Sequence, residues 1–96
     1  MTEITIERSG KDGHGEYRAR LAGSPHIGRL TWVERNGVRI AEHTLVPPEI
    51  GNRGVAARLV EVMVEDARQQ GFRIEPQCSY VAAAFARHPE WSGLRA

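Results

Sequence analysis

The chain has 96 residues, of which 41% are hydrophobic, and it contains a single cysteine. This composition suffices for one packed core, and it excludes a disordered chain, a collagen-like repeat and a disulfide scaffold. Thirteen basic and twelve acidic residues give a net charge of +1 without a basic stripe, so nucleic acid is not an expected partner. We expect one domain over residues 1–96.

The sequence gives no sign of export or membrane insertion. Residues 1–6 have neither the basic flank nor the apolar run of a signal peptide. No stretch approaches the roughly 18 apolar residues of a membrane-crossing helix. The lone Cys78 fits a reducing compartment. These features predict a soluble cytoplasmic protein without a membrane partner.

The first half of the chain alternates apolar and polar residues, which is the pattern of half-buried strands. The predicted strands cover approximately residues 4–6, 17–21, 27–34 and 38–46. A turn is predicted over residues 9–13, and Asn36-Gly37 predicts a tight hairpin between the third and fourth strands. Pro47 and Pro48 end the fourth strand, because proline cannot donate to a strand ladder.

The second half changes to a helical period. Its apolar stripe is Val55, Leu59, Val62, Met63 and Ala67, and Gly71 ends the helix. A short strand over residues 72–74 stops before Pro76, and Ser79 is expected to cap a last helix that ends at His88. The order β-β-β-β-α-β-α predicts an α+β fold with a mostly antiparallel five-stranded sheet. The fifth strand should pair parallel to the fourth, because it returns after a helix.

The loop between the fourth strand and the long helix, residues 47–56, is the most informative segment. Amides at a helix start lack intrahelical partners, and the helix dipole adds positive charge, so glycine and alanine there allow a phosphate to approach the backbone. Arg53 can add a charged contact. A glycine loop with a purely steric role is the alternative. The segment does not contain the GxxxxGK[ST] pattern of a phosphate-binding loop. It is not a dinucleotide fingerprint either, because the strand before it belongs to an antiparallel hairpin.

Four motifs in this order resemble the GNAT superfamily of N-acetyltransferases. They are Glu42-His43-Thr44-Leu45-Val46-Pro47, Asn52-Arg53-Gly54-Val55-Ala56, Pro76-Gln77-Cys78-Ser79-Tyr80 and His88-Pro89-Glu90-Trp91. The last two are similar to the small single-domain, YjdJ-like branch of GCN5-type enzymes. The resemblance runs from about Tyr17 to Trp91. It departs at Gly51, where the superfamily has arginine or glutamine.

The resemblance implies a minimal GNAT-like fold, with the fourth and fifth strands splayed apart, and acetyl-CoA as co-substrate. The pantetheine arm would lie along the fourth strand, and the pyrophosphate would lie on the glycine loop. The implied cofactor-binding residues are Thr44, Leu45, Val46, Gly51, Asn52, Arg53, Gly54, Val55 and Ala56. A backbone N–H near Leu45 or Val46 would stabilise the oxyanion formed when an amine attacks the thioester.

Four residues are catalytic candidates, each with a structural alternative. Cys78 is expected to take the acetyl group or to donate a proton beside the sulfur, although a lone cysteine is commonly a small buried hydrophobe. His43 and, ranked below it, Glu42 are candidate bases, and a structural role for His43 stays open. Tyr80 matches a superfamily tyrosine that protonates the departing thiolate, or it packs at the helix start.

The predicted function is transfer of an acetyl group from acetyl-CoA to an amine, by direct attack or through Cys78. The acceptor is a small molecule or a protein or peptide amine. The alternatives are a non-catalytic module that binds CoA or acyl-CoA and a scaffold that has lost the ligand. The four histidines and one cysteine show no metal-ligand spacing, so no metal is expected.

Overall fold

The structure is a computed structural model that describes residues 3–96. Met1 and Thr2, which the signal-peptide argument includes, lie outside the described residues. The elements are β1 (Ile4–Lys11), β2 (His14–Leu21), β3 (Ile27–Arg35), β4 (Val38–Leu45), α1 (Val55–Gln70), β5 (Arg73–Pro76) and α2 (Ser79–Arg87). Short 3-10 helices follow at Pro48–Ile50 and Pro89–Leu94.

The five strands form one sheet in the order β1-β2-β3-β4-β5. The first three pairings are antiparallel and β4 pairs parallel with β5, so the predicted fold class and topology are confirmed. Asn36 and Gly37 both have positive φ, at 52° and 78°, as a two-residue hairpin turn between twisted strands requires. The chain after the last 3-10 helix covers the outer edge of β5, where the Ala96 amide donates to the Ile74 carbonyl at 2.8 Å.

Two local predictions are wrong. The first turn is Asp12-Gly13 alone, with φ of 55° and 83°, and β1 continues to Lys11 opposite His14. Two residues suffice for a turn of this type, so the residues before Asp12 remain paired in the ladder. Ser79 does not cap α2. It is the first helical residue, and Cys78 holds the N-cap position.

Helix α1 packs against one face of the sheet. All five residues of the predicted α1 stripe are buried. Gly28 on β3 makes this packing possible, since a Cβ there would lie 2.8 Å from Val55 Cγ1 at the start of α1. The opposite face, which carries Glu16 and Thr31, is only half buried and has no helix over it within residues 3–96. None of the helices in this range is long and apolar enough to cross a membrane.

A polar cluster joins α1 to the sheet at the end farthest from the glycine loop. Asp66 is only 3% exposed, and it accepts hydrogen bonds from Arg8 Nε at 2.8 Å, Arg8 Nη2 at 3.1 Å and the Tyr17 hydroxyl at 2.9 Å. Burial raises the pKa of Tyr17, and the hydrogen bond to Asp66 adds to this. The Arg39 guanidinium is stacked at 4.1 Å from the ring centroids of both Trp32 and Phe72. Arg39 also donates to Gln70 Oε1 in the last turn of α1 at 3.4 Å, so the cluster fixes α1 to β1, β2 and β4 through side chains.

We expect Asp66→Ala to lower the free energy of unfolding by about 3 kcal/mol, because it leaves the Tyr17 hydroxyl without its acceptor and breaks the ion pair with Arg8. Urea denaturation measures this loss. Glu65→Ala, at the exposed neighbouring position on the same helix, is the matched control and should stay within about 0.5 kcal/mol of the parent. Equal losses in the two variants would contradict the assigned role of Asp66.

Candidate functional site

Strands β4 and β5 separate after a short parallel ladder. Their last pair is Ala41 with Pro76, and the Cys78 amide then donates to the Ala41 carbonyl at 2.9 Å. Strand β4 continues to Leu45 without a partner from β5, so the predicted splay is present. A cavity of about 440 Å³ occupies the gap. This cysteine pocket is lined by Glu42, His43, Thr44, Leu45, Gln77, Cys78 and Ser79.

A bulge on β4 determines where the candidate bases point. Opposite β3, Ala41 pairs with Trp32 and His43 pairs with Thr31, which leaves Glu42 as an extra residue. The bulge breaks the alternation, so Ala41 faces α1 while His43 faces away from it. Regular alternation would place Ala41, His43 and Leu45 on one face of the strand. The inserted residue reverses the facing of every residue after it, so His43 and Ala41 lie on opposite faces.

The bulge also directs Thr44 toward Cys78. Thr44 pairs with Leu30 and therefore lies on the α1 face, where its Oγ1 is 3.4 Å from Cys78 Sγ. Burial raises the pKa of the Cys78 thiol. Hydrogen bonding to the Thr44 hydroxyl and to the backbone N–H groups of Val81, Tyr80 and Thr44 outweighs burial, so the pKa lies below its ordinary value. The Thr44 hydroxyl lowers the pKa more than any one of these amides does, and the sulfur makes no side-chain capping hydrogen bond in α2.

The glycine loop, here residues 51–54, and the first turn of α1 present backbone amides. Gly54 is the N-cap with φ of 79°, and neither a capping side chain nor an acidic residue in the first turn neutralises this end. The first intrahelical bond runs from the Arg58 amide to the Gly54 carbonyl. Within residues 3–96 the amides of residues 52–54 donate no backbone hydrogen bond. These donors are therefore available to an anion.

A cavity of about 250 Å³ lies on these amides. It is lined by Val46, Ile50, Gly51, Asn52, Gly54, Val55, Ala56, Ala57 and Tyr80. Arg53 is exposed and does not line it. Tyr80 thus lies at the glycine loop rather than in the cysteine pocket, where the thioester was expected.

A third cavity, of about 550 Å³, lies between the other two and is lined by Ile27, Arg29, Thr44, Leu45, Val46 and Pro47. It shares Thr44 and Leu45 with the cysteine pocket and Val46 with the cavity at the glycine loop. Leu45 is 57% exposed, although it is apolar. The three cavities together, called the β4 groove below, line the end of β4 from Cys78 to the start of α1.

The structure brings most of the predicted site residues to this groove. Sequence reasoning missed Gln77, Ala57 and Ile50, which line it as well. Ala57 follows the predicted loop directly, so the period of the helix could have revealed it. Gln77 belongs to the motif that contains Cys78, but nothing in that motif distinguishes it as a lining residue, because it reaches the cysteine pocket through the separation of β4 and β5.

The architecture agrees with a comparison against known families. Residues 16–94 match the family described as GCN5-related N-acetyl-transferase, which is more than half of the chain. The chain belongs to this family. An acetyltransferase-type function follows from the membership, whereas the narrower YjdJ-like branch stays a prediction. A search of curated proteins found no match. The part of the chain from residue 3 to 96 holds no group of three or more potential metal ligands.

We expect Thr44→Val to raise the pKa of the Cys78 thiol, because valine keeps the shape of threonine but removes the hydroxyl next to the sulfur. Alkylation by iodoacetamide, followed between pH 6 and 10, measures this as an inflection at higher pH and a slower rate near neutrality. Ser79→Ala, which removes an exposed hydroxyl from the same pocket, is the control and should leave the profile unchanged. A Thr44→Val profile that matches the parent would rule out this role of the hydroxyl.

Proposed function

We propose that this GCN5-related N-acetyltransferase binds acetyl-CoA along the β4 groove and transfers the acetyl group to an amine. The observation that carries the proposal is the arrangement of the groove. It begins at unpartnered amides and ends beside a partly buried thiol. Between these ends lies a strand that has lost its neighbour. A ligand with an anionic end, an amide-bearing arm and a reactive carbonyl matches this order of surfaces.

The start of α1 fits a diphosphate. The left-handed Gly54 is the N-cap of α1 and lines the cavity, and a helix start attracts negative charge through its dipole. A Cβ at Gly54 would meet nothing within 4 Å, so the loop is open to a ligand rather than filled by the protein. Gly51 supplies no side chain where the superfamily has arginine or glutamine. The backbone donors therefore carry the phosphate contact in this proposal.

The cysteine pocket fits the reacting end. Acetyl-CoA would supply an acetyl thioester there. The acceptor nitrogen forms a bond to the carbonyl carbon, the carbon–sulfur bond breaks, and the sulfur leaves as a thiolate that takes up a proton. Glu42 and His43 both line this pocket and are the candidates that receive the proton of the amine. A backbone N–H at Leu45 or Val46 is the proposed donor to the developing oxyanion.

Two roles stay open within the proposal. Cys78 either takes the acetyl group on its own sulfur before the amine attacks, or it stays next to a direct transfer. Its lowered pKa and its hydrogen bond to Thr44 suit both routes. Tyr80 faces the glycine loop, so proton donation to the leaving thiolate requires that the sulfur pass near this end of α2. The cytoplasmic location predicted from the composition is retained as a further part of the proposal.

We expect Ala57→Glu to weaken acetyl-CoA binding at least tenfold, because it adds a carboxylate to the cavity that would hold the diphosphate. The same change should leave the unfolding free energy unaltered or raise it by about 0.3–1 kcal/mol, since a negative charge is favourable in the first turn of a helix. Isothermal titration calorimetry and thermal melting measure the two effects. Ala57→Gln, of similar size and neutral, is the control. Equal affinity of the Glu and Gln variants would place the diphosphate elsewhere.

Intact-mass analysis after incubation with acetyl-CoA tests the chemical route. An added acetyl group that is lost on addition of an amine, and that is absent from Cys78→Ala, is expected if Cys78 carries the acetyl group. A Cys78→Ala variant that keeps turnover favours direct attack. Binding without turnover over a broad panel of amines would favour the non-catalytic module. A melting temperature unchanged at saturating acetyl-CoA would favour the scaffold, because a ligand that binds only the folded state must stabilise it.

A further inference from the structure

We propose that the helix-free face of the sheet binds the acceptor, and that the acceptor is a peptide amine with an acidic residue nearby. The inference rests on the proposed acetyl transfer and adds the substrate class. A cavity of about 720 Å³ lies on this face and is called the sheet-face groove. It is lined by Ser9, Gly10, Lys11, His14, Gly15, Glu16, Arg18, Thr31, Trp32, Val33 and Glu42.

Glu42 joins the sheet-face groove to the reaction site. Because it is the extra residue of the β4 bulge, it lines this groove and the cysteine pocket as well. Its side chain is half buried and makes no ion pair or hydrogen bond with any residue in the range 3–96. A carboxylate in this position attracts an ammonium group. An amine that enters along the groove therefore arrives beside the proposed thioester position.

The length of the groove favours a peptide over a small amine. It crosses four strands, from Glu42 on β4 to Lys11 on β1, and three inter-strand spacings amount to about 14 Å. The groove is open along its length, so a small molecule would leave most of it in water. Its floor holds the Thr31 hydroxyl, which is buried and has no hydrogen-bond partner within the described residues.

The positive charge in the part of the groove away from Glu42 favours a peptide with an acidic side chain. Glu16 is paired with Arg18 and lies 4.0 Å from Arg29, so these two cations exceed the single carboxylate. Lys11, at the far end, forms no ion pair with any residue from 3 to 96. The groove is thus acidic at the reaction site and basic beyond it. Since an extended peptide spans about 3.4 Å per residue, an acidic side chain about four residues from the amine reaches Lys11.

Fluorescent peptides test this assignment on the full chain in the presence of acetyl-CoA. Each peptide carries one lysine. One peptide has glutamate at the positions four residues before and four residues after the lysine, and the other has glutamine at both. Anisotropy should show twofold to fivefold tighter binding of the glutamate peptide at low salt, which corresponds to one exposed ion pair, and acetyl transfer measured by mass spectrometry should follow the same order. Lys11→Glu should reverse the preference. Arg95→Glu makes the same charge change beside the opposite edge strand and should preserve it.

Several results would overturn the assignment. These are equal binding of the two peptides, equal effects of Lys11→Glu and Arg95→Glu, and transfer to small amines without any peptide binding. The last result leaves the proposed acetyltransferase activity intact. Calorimetry with acetyl-CoA alone tests the proposed function separately, because an absence of acetyl-CoA binding would overturn that function itself. Lys11→Gln, which removes the charge without reversing it, replaces Lys11→Glu if the latter does not fold.

Discussion

The candidate site depends on residues 41 and 42 of β4, where the strand loses its pairing with β5 and shifts its register with β3. On one side, the ladder with β5 ends at Ala41 and Pro76. Pro76 has no N–H to donate, and the chain after it turns into α2. On the other side, the bulge at Glu42 shifts the register with β3. Beyond Ala41, β4 runs four residues without a strand partner on the edge that faces β5.

The bulge has a chemical consequence because it sorts neighbouring residues onto different faces. Thr44 turns to the α1 side and meets Cys78, whereas His43 turns to the open side. Glu42 remains between them and lines both cavities. In a strand with regular alternation, residues 42 and 44 would share a face. The irregular ladder therefore places Thr44 beside the Cys78 sulfur on one side of the sheet and His43 on the side that is proposed to bind the acceptor.

The sequence predicts those features that depend on local chemistry. Asn36-Gly37 determines its own turn, and the stripe from Val55 to Ala67 follows from the period of one helix. The site is harder to predict because it arises from contacts between distant segments. Glu42 carries no sign that it is an inserted residue, since a bulge depends on both strands of the pair. Asp66 is 58 residues from Arg8 in the sequence, so the helical pattern around Asp66 predicts only an ordinary polar position and not this ion pair.

The surroundings of Cys78 connect the two proposed chemical routes. The Thr44 hydroxyl and the first amides of α2 stabilise negative charge on the sulfur of Cys78, as its lowered pKa indicates. These donors respond to charge rather than to the identity of the thiol, so they would also act on a second sulfur anion that lies beside Cys78 within their reach. In the proposed complex they would therefore also stabilise a departing thiolate. An environment that lowers a thiol pKa is consequently compatible with direct transfer, and only the fate of the acetyl group separates that route from one through Cys78.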